Sequence, residues 1–389
     1  MLENLFWCLM GAMIEPIYTY LKEKWVNRKS PLSGTWGQFI YEKDDLECKN
    51  NVVKRDRYII SHSLLMHYPQ HLRINLNGSI NRIRDASDTS NNNSENRRWK
   101  CSGYSSDGIL MLFYKADEPF DTKGCVYTKI QNDYEYRGYY LADHTQSDGS
   151  KKMDMTPVIL RKYNTKYALW DWDKTISVDY TVFPWIEYLC QKRKFDSSVK
   201  NQVDQKTNDY QKGAITHDQY AEQVGELYAL GLKGVKASEI NQLAEDYINS
   251  GRLKLYANIE KVFQLLHKKK IRVFIASGAP YEIVRCYQKQ FHIETIYALR
   301  AEIVGGVFTG KVETNYGFNK KNLIERITQE NDKTLPYMAF GDSESDYPML
   351  NASLYPFYVS NRSSFQTREF IFIDKNNASK QIVKRIEKA

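Results

Sequence analysis

The fold of this protein is decided by one stretch of its sequence, Tyr167-Ala168-Leu169-Trp170-Asp171-Trp172-Asp173-Lys174-Thr175. Four apolar residues run directly into two aspartates that are one residue apart, a pattern typical of a buried parallel strand that ends in a turn. Ligands of open parallel sheets bind just beyond the carboxyl ends of the strands. Because neighbouring carboxylates repel each other, this pair indicates a proton or a hard cation such as Mg²⁺ between them. On this stretch alone, a surface turn with solvated acids stays an alternative, since the pattern is common.

Three later segments place polar groups at strand ends or helix starts in the same way. Residues 271–280 form a second apolar strand, which runs into a serine, a glycine and a proline suited to the first turn of a helix. Residues 319–324 open an amphipathic helix with a lysine, and residues 337–340 are a third strand followed by acids. The polar groups at these places are Ser277, Gly278, Lys320, Asp342 and Asp346. Their order indicates one site for an anionic substrate.

This order of motifs resembles the haloacid dehalogenase (HAD) superfamily of phosphatases, and most of all its phosphoserine-phosphatase-like branch. The resemblance covers roughly residues 162–389. It implies an α/β Rossmann-like core with an all-helical cap of type one, Mg²⁺ as cofactor, and a phosphorylated small molecule as substrate. By this resemblance Asp171 is the nucleophile that forms an aspartyl-phosphate, and Asp173 is the general acid and then the base that activates water.

The resemblance also implies roles for the later motifs. Ser277 and Gly278 bind the phosphate, and Lys320 stabilises the charge that the nucleophile and the phosphate share. Asp342 completes the Mg²⁺ shell with Asp171 and Asp173, and Asp346 is a further catalytic residue that orients its neighbours. Lys321 stays an alternative to Lys320. One departure from the family is Lys174, where many relatives carry glycine.

Composition sets broad limits on the protein. The chain has 389 residues, of which 42% are hydrophobic and 26% are charged, as in ordinary soluble proteins with two or three domains. The net charge of +8 permits anionic ligands but does not by itself favour nucleic acid, and we expect no direct nucleic-acid binding. The six cysteines are scattered without metal-ligand spacing, which predicts reduced thiols in a cytoplasmic protein.

The first segment, residues 1–29, is predicted to be a hydrophobic helix. Its apolar run, residues 5–14, is about half as long as a membrane-spanning helix needs. One interpretation is burial against another domain or a second copy of the chain. The alternative is contact of residues 1–27 with a membrane interface, because aromatic and basic residues follow the apolar run.

Residues 30–162 alternate between apolar and polar positions in about eight short runs, which predicts a small antiparallel β-barrel. The Gly-x-Trp opening, a Gly-Tyr-Tyr strand and a closing Val-Ile-Leu-Arg strand resemble lipocalin-type barrels and the barrel sensors of bacterial cyclic-oligonucleotide defence systems. That resemblance implies a nucleotide second messenger as ligand and an antiviral effector role for the enzyme. The candidate contacts are Trp36, Tyr58, Arg73, Tyr127 and Arg137. Alternatively, these aromatic residues are barrel core and the arginines are solvated.

Residues 163–389 make up the predicted HAD domain. Apolar residues at helical spacing between about 177 and 256 predict the helical cap. A Gly-Gly pair at residues 305–306 predicts a hairpin, residues 355–360 a final strand, and the lysine-rich tail from Lys375 a solvated helix.

The sequence therefore predicts a Mg²⁺-dependent phosphomonoester hydrolase that acts on a small metabolite or nucleotide and is gated by a nucleotide in the barrel. One alternative is a ligand- or partner-binding barrel whose HAD domain is a scaffold. Another is a phosphotransferase that uses an acceptor other than water.

Overall fold

The computed structural model describes residues 34–40, 59–70, 73–85, 98–116, 123–132, 134–145, 150–163, 165–318, 320–331, 333–361 and 370–388. The chain divides into two compact units, Met1–Asn164 and Thr165–Ala389. The predicted hydrophobic helix at residues 1–29 lies outside the described residues.

The first unit contains a curled antiparallel sheet. Its strands are β1 (Gly34–Ile40), β2 (Ile59–Gln70), β3 (Arg73–Asp85), β4 (Arg98–Ser106), β5 (Ile109–Ala116), β6 (Lys123–Asn132), β7 (Glu135–Thr145) and β8 (Lys151–Lys162). Each strand pairs with the next one along the chain, and β1 also pairs with β8. The prediction of an antiparallel β domain is confirmed at the level of this curled sheet.

The inner face of the curled sheet holds an aromatic and aliphatic core. Trp36 is fully buried and meets Tyr136 edge to face, with 5.6 Å between ring centroids. The other buried members are Cys101, Leu110, Leu112, Tyr114, Val126, Val158 and Leu160. Because side chains alternate between the two faces of a strand, Tyr127 points away from the neighbouring Val126 and is exposed. This alternation is the period-two pattern that predicted the strands.

The second unit is built on a seven-stranded sheet. Its strands are β9 (Tyr167–Trp170), β10 (Arg272–Pro280), β11 (Ile293–Val304), β12 (Val307–Thr314), β13 (Met338–Gly341), β14 (Tyr355–Ser360) and β15 (Ile371–Asp374). Their order is β12-β11-β10-β9-β13-β14-β15, and all neighbours are parallel except β11 and β12. The predicted hairpin at Gly305 and Gly306 joins β11 to β12. The prediction that β14 is the final strand is wrong, because β15 extends the sheet beyond it.

A helical segment lies between β9 and β10, as predicted. It comprises α1 (Val182–Gln191), α2 (Ser197–Gln211), α3 (His217–Gly231) and α4 (Ala237–Asn249). Trp185, Val203, Tyr228 and Ile240 are among the residues that bury its apolar stripes in one core. Thr216 and Gln219 form a capping box at the start of α3. The same core contains buried residues of β11 and β12, so the helical segment packs against the sheet of its unit.

The remaining helices are α5 (Ile259–Lys268), α6 (Tyr281–Cys286), α7 (Lys320–Glu330), α8 (Tyr347–Ala352) and α9 (Ala378–Lys388), with 3₁₀ turns at Glu344–Asp346 and Lys375–Asn377. Within the parts of the chain that the structure covers, no helix is both long enough and apolar enough to cross a membrane.

The C-terminal tail is not the solvated helix that its lysines predict. Ile382 and Ile386 of α9 are fully buried. Lys269, at the end of α5, donates from Nζ to the carbonyl of Ile386 at 2.6 Å and so binds the last turn of α9. The prediction was wrong because the buried positions are spaced four residues apart, while Lys380 and Lys384 are exposed on the outer face.

Candidate active site

Three neighbouring parallel strands end at one edge of the second sheet. Trp170, the last residue of β9, pairs with Ile275 of β10 and with Phe340 of β13. The backbone N–H of Asp171 donates to the carbonyl of Phe340 at 2.9 Å, which fixes the turn after β9. Asp171 and Asp342 therefore directly follow β9 and β13, and Ser277 lies in the last part of the neighbouring strand β10.

Lys320 lies at the first position of α7 and is buried. Its Nζ donates to Oδ1 of Asp171 at 2.8 Å and to Oδ1 of Asp346 at 2.5 Å. Although burial alone would lower the pKa of Lys320, these two carboxylates raise it above its ordinary value. Lys321, the alternative in the sequence, is exposed. The lysine that meets the acids is thus Lys320.

Asp346 is fully buried and uses both carboxylate oxygens within the site. Its Oδ1 accepts from Lys320, and its Oδ2 accepts from the N–H of Asp342 at 2.9 Å, from the N–H of Ser343 at 3.1 Å and from the hydroxyl of Ser343 at 3.0 Å. Gly341 leaves the room for this arrangement, because a Cβ there would lie 2.4 Å from Cβ of Asp346. Asp346 therefore holds the turn after β13 in place.

Three carboxylates meet at this edge. One oxygen from each of Asp171, Asp342 and Asp346 lies within 4.8 Å of the other two. Burial raises the pKa of Asp171, which Lys320 opposes and the other two acids reinforce. Burial, reinforced by Asp346, raises the pKa of Asp342 to about 6, against the opposing charges of Lys375 and Lys174. Clustered acids with raised pKa values gain most from a bound cation.

The donor set fits Mg²⁺, which binds carboxylate oxygens in proteins. Among the described residues, no hydrogen bond engages Oδ2 of Asp171 or Oδ1 of Asp342. Asp346, in contrast, is saturated with donors, so Asp171 and Asp342 are the acids that could hold the ion. The carboxylate of Asp173, which the sequence placed in the metal set, lies outside the acid cluster.

Asp173 accepts hydrogen bonds from Thr181, the residue directly before α1. Its Oδ1 accepts from the N–H of Thr181 at 2.9 Å and from the Thr181 hydroxyl at 2.5 Å. The indole N–H of Trp172 donates to the same hydroxyl at 3.1 Å. Burial raises the pKa of Asp173 to about 6, against the lowering effect of the Thr181 bonds. A carboxyl with a pKa near neutrality suits proton transfer in both directions.

The backbone conformation at Lys174 is one that glycine adopts most easily, which agrees with the glycine that many members of the HAD superfamily carry there. Lys174 has a φ of 58°, in the left-handed region that glycine adopts without strain. Its ammonium group lies 3.7 Å from the centroid of the Tyr180 ring. This cation–π contact helps to hold a lysine in a backbone conformation that disfavours side chains.

Ser277 and Gly278 lie where β10 turns into α6. Ser277 is buried, and its hydroxyl oxygen accepts from the N–H of Ala279 at 3.3 Å, which leaves the hydroxyl hydrogen available as a donor. Gly278 approaches Gly317, and a Cβ on Gly278 would lie 2.9 Å from Cα of Gly317. This close approach brings the loop before α7 against the end of β10.

Two residues of the site were missed by the sequence predictions. Thr181 carries no motif, and its bond to Asp173 depends on how residues 174–180 fold back. Lys375 follows β15, and its Nζ donates to Oδ2 of Asp342 at 3.2 Å. If residues 371–374 had been predicted as a strand, the position of Lys375 directly after that strand would have marked it as a candidate site residue.

Among the candidate ligand contacts of the first unit, Trp36 and Tyr127 lie on opposite faces of the curled sheet. Trp36 lies in the inner core, whereas Tyr127 is exposed on the opposite face, so one ligand could not contact both. Arg137 pairs with Glu135 at 2.6 Å and is partly exposed. Tyr58 and the side chain of Arg73 lie outside the described residues.

Comparisons with known proteins agree with the fold of the second unit. Residues 168–351, which lie in the second unit, match the family of haloacid dehalogenase-like hydrolases. No curated protein matched the chain.

Similar solved structures include a protein of unknown function from Bordetella pertussis Tohama I, with 20% identity over 54% of this chain and 99% of that chain and a TM-score of 0.44. A phospho-aspartyl intermediate analogue of phosphoserine phosphatase has 17% identity over 57% of this chain and 99% of that chain, with a TM-score of 0.41. Cytosolic 5'-nucleotidase IIIB bound to cytidine has 15% identity over 58% of this chain and 86% of that chain, with a TM-score of 0.44.

Proposed function

We propose that the second unit hydrolyses phosphomonoesters of small molecules by transferring the phosphoryl group first to Asp171 and then to water. The observation that carries this proposal is the buried Lys320, which bridges Asp171 and Asp346 beside Asp342. Phosphoryl transfer requires chiefly positioning and neutralisation of negative charge, and this cluster offers both. The match to haloacid dehalogenase-like hydrolases supports the same reaction class.

In the first step a carboxylate oxygen of Asp171 forms a bond to phosphorus while the bond from phosphorus to the leaving-group oxygen breaks. Asp173, in its protonated form, gives its proton to the leaving oxygen, so the alcohol departs neutral. Lys320 stays beside Asp171 and offsets charge on the transferred group. The Ser277 hydroxyl donates to a phosphate oxygen. The product of this step is an aspartyl-phosphate.

In the second step Asp173 acts in the opposite direction. Now a carboxylate, it takes a proton from a water molecule, which attacks phosphorus and releases inorganic phosphate and the free Asp171 carboxylate. Asp171 and Asp342 would hold Mg²⁺, which would supply positive charge that neutralises the phosphoryl oxygens. A pKa of about 6 lets Asp173 exist in both protonation states near neutral pH.

We assign the helical segment α1–α4 the role of a cap over this site. Support comes from its position in the chain between β9 and β10, and from Asn315, whose side-chain amide donates to the carbonyl of Ala221 in α3 at 2.9 Å. Asn315 belongs to the loop that leads into Lys320. A cap in this place would exclude water while Asp173 protonates the leaving group.

The proposal is tested with Asp171→Asn, using phosphate release from a panel of nucleotides and sugar phosphates in the presence of Mg²⁺. We expect turnover to fall below detection with an unchanged melting temperature, because an amide cannot attack phosphorus. Asp246→Asn, an exposed position on α4, is the matched control and should keep full activity. Normal turnover by Asp171→Asn would contradict the proposal, and transfer of phosphate to an added alcohol would identify a phosphotransferase.

A role of the first unit in sensing a nucleotide second messenger, with the enzyme as a defence effector, is a further proposal that rests on the sequence resemblance. The test repeats the phosphate-release assay with and without cyclic di- and trinucleotides. Release that depends on one of them would support gating. Identical release in all cases would exclude gating by these compounds.

A further inference from the structure

Lys375 reaches the acid cluster from outside the four sequence motifs. It begins the 3₁₀ turn after β15, and its Nζ lies 3.2 Å from Oδ2 of Asp342. Only 17% of the Lys375 side chain and 13% of the Asp342 side chain are exposed. In the sheet, β14 lies between β13 and β15. The side chain of Lys375, which follows β15, therefore crosses the end of β14 to reach Asp342, which follows β13.

The turn that carries Lys375 is itself held in place. The carboxylate of Asp374 accepts from the N–H of Asn376 at 3.1 Å, and the N–H of Asp374 donates to the side chain of Gln381 in α9 at 3.3 Å. Helix α9 in turn is buried through Ile382 and Ile386. These contacts fix the backbone of Lys375. Its side chain therefore reaches Asp342 from a fixed position, unlike the side chain of a solvated surface lysine.

Two lysines contact the three carboxylates of the acid cluster. Lys320 contacts Asp171 and Asp346, whereas Asp342 receives its hydrogen-bonded cation from Lys375. Asp342 is also one of the two acids whose unengaged oxygens could hold a divalent cation. An ion held by Asp342 would share this carboxylate with the Lys375 ammonium. Two positive charges that contact one carboxylate in a partly buried site repel each other strongly.

We propose that Lys375 is an internal counter-ion that competes with a divalent cation for Asp342 and so sets the concentration at which the cation fills the site. The inference rests on the cation site of the proposed function. Without the cation, Lys375 holds the Asp342 carboxylate by its hydrogen bond. When the cation binds, the ammonium group gives up its bond to Asp342, which lowers the net affinity of the site.

The test measures Mg²⁺ binding to the full chain by titration calorimetry without substrate. In Lys375→Met we expect the dissociation constant to fall by about tenfold or more, because a unit charge beside a partly buried carboxylate is removed. Lys375→Arg keeps the charge and should stay within about twofold of the unmodified protein. Lys380→Met, which removes an exposed lysine five residues further on, is the matched control and should change nothing.

A Lys375→Met protein that binds Mg²⁺ with unchanged or weaker affinity overturns the inference while leaving the cation site intact. Absence of Mg²⁺ binding in every variant, including the unmodified protein, overturns both the inference and the cation site of the proposed function. Lys375→Gln provides the same comparison if the methionine variant does not fold. A melting curve of each variant separates altered binding from altered folding.

Discussion

Asp171 and Asp173 are two residues apart, yet different partners hold their carboxylates. Asp171 faces the buried ammonium of Lys320, and Asp173 faces the N–H and hydroxyl of Thr181. Burial raises the pKa of both acids, but at Asp171 the Lys320 ammonium opposes the rise, whereas at Asp173 the Thr181 bonds oppose it and the pKa is about 6. In the proposed mechanism one short stretch thus provides a nucleophile and a proton carrier, because the two acids have different neighbours.

At this scale, Lys320 and Lys321 allow a matched comparison. We expect Lys320→Met to lower turnover by about 10²- to 10³-fold, because the charge that offsets the phosphoryl group is lost. The same change leaves buried carboxylates without their cation and should lower the melting temperature. Lys321→Met, at the adjacent exposed position, should behave as the unmodified protein in phosphate-release and melting assays. An equal loss in both variants would contradict the assignment of Lys320.

Thr181 is predicted to set the pH at which Asp173 works. Both Thr181 bonds lower the pKa of Asp173, so Thr181→Val, which removes the hydroxyl bond and keeps the backbone N–H bond, should raise that pKa further. The limb of the pH–rate profile that Asp173 governs should then move to higher pH. Thr181→Ser keeps the hydroxyl and should leave the profile in place. A profile that shifts equally in both variants would assign the limb to another group.

At the scale of elements, the sequence predicted what depends on neighbouring residues and missed what depends on distant ones. Apolar runs followed by acids identified β9 and β13, and an apolar run that leads into Ser277 and Gly278 identified β10, because strand and functional group are contiguous there. The bond from Lys375 to Asp342 depends on β15 lying two positions from β13 in the sheet, and no local pattern specifies that order. The predicted shared contact of Trp36 and Tyr127 failed because residue type alone does not tell which face of a strand is inner.

Strands β7 and β8 are joined by an ion pair whose effect depends on pH. Glu135 is buried and accepts from Arg161 at 2.7 Å and from Arg137 at 2.6 Å. Burial alone would raise the pKa of Glu135, but the two guanidinium groups outweigh it and lower the pKa below the ordinary 4.5. The stabilisation is therefore fully present above the ordinary value and is lost as the pH falls through the lowered pKa.

Glu135→Gln should accordingly lower the free energy of unfolding by about 2 kcal/mol at neutral pH, since hydrogen bonds to charged groups have that magnitude. The difference should vanish in acid below the lowered pKa, where Glu135 is itself protonated. Urea unfolding of both proteins at neutral and acidic pH measures it. A difference that stays constant across this range would mean that the charge of Glu135 contributes nothing.

At the scale of the whole molecule, each of the two compact units has its own hydrophobic core. We therefore expect two thermal transitions, and Mg²⁺ should raise only that of the second unit. At a concentration about one hundred times the dissociation constant, the shift should be roughly 5 to 10 °C. Calorimetry with and without Mg²⁺ measures it, and Asp342→Asn should abolish the shift. A shift of both transitions would show that the ion acts beyond the acid cluster.

Thr181 is both the N-cap residue of α1 and the hydrogen-bond donor to Asp173. In the proposed mechanism, proton transfer by Asp173 would therefore depend on the position of α1. In this mechanism, the proton donor Asp173 would be aligned only when the start of α1 is in place. An ester too bulky for the helix to settle would occupy the site without being cleaved. Discrimination between substrates would then act on the rate of bond breaking rather than on affinity, so such compounds would be inhibitors instead of slow substrates.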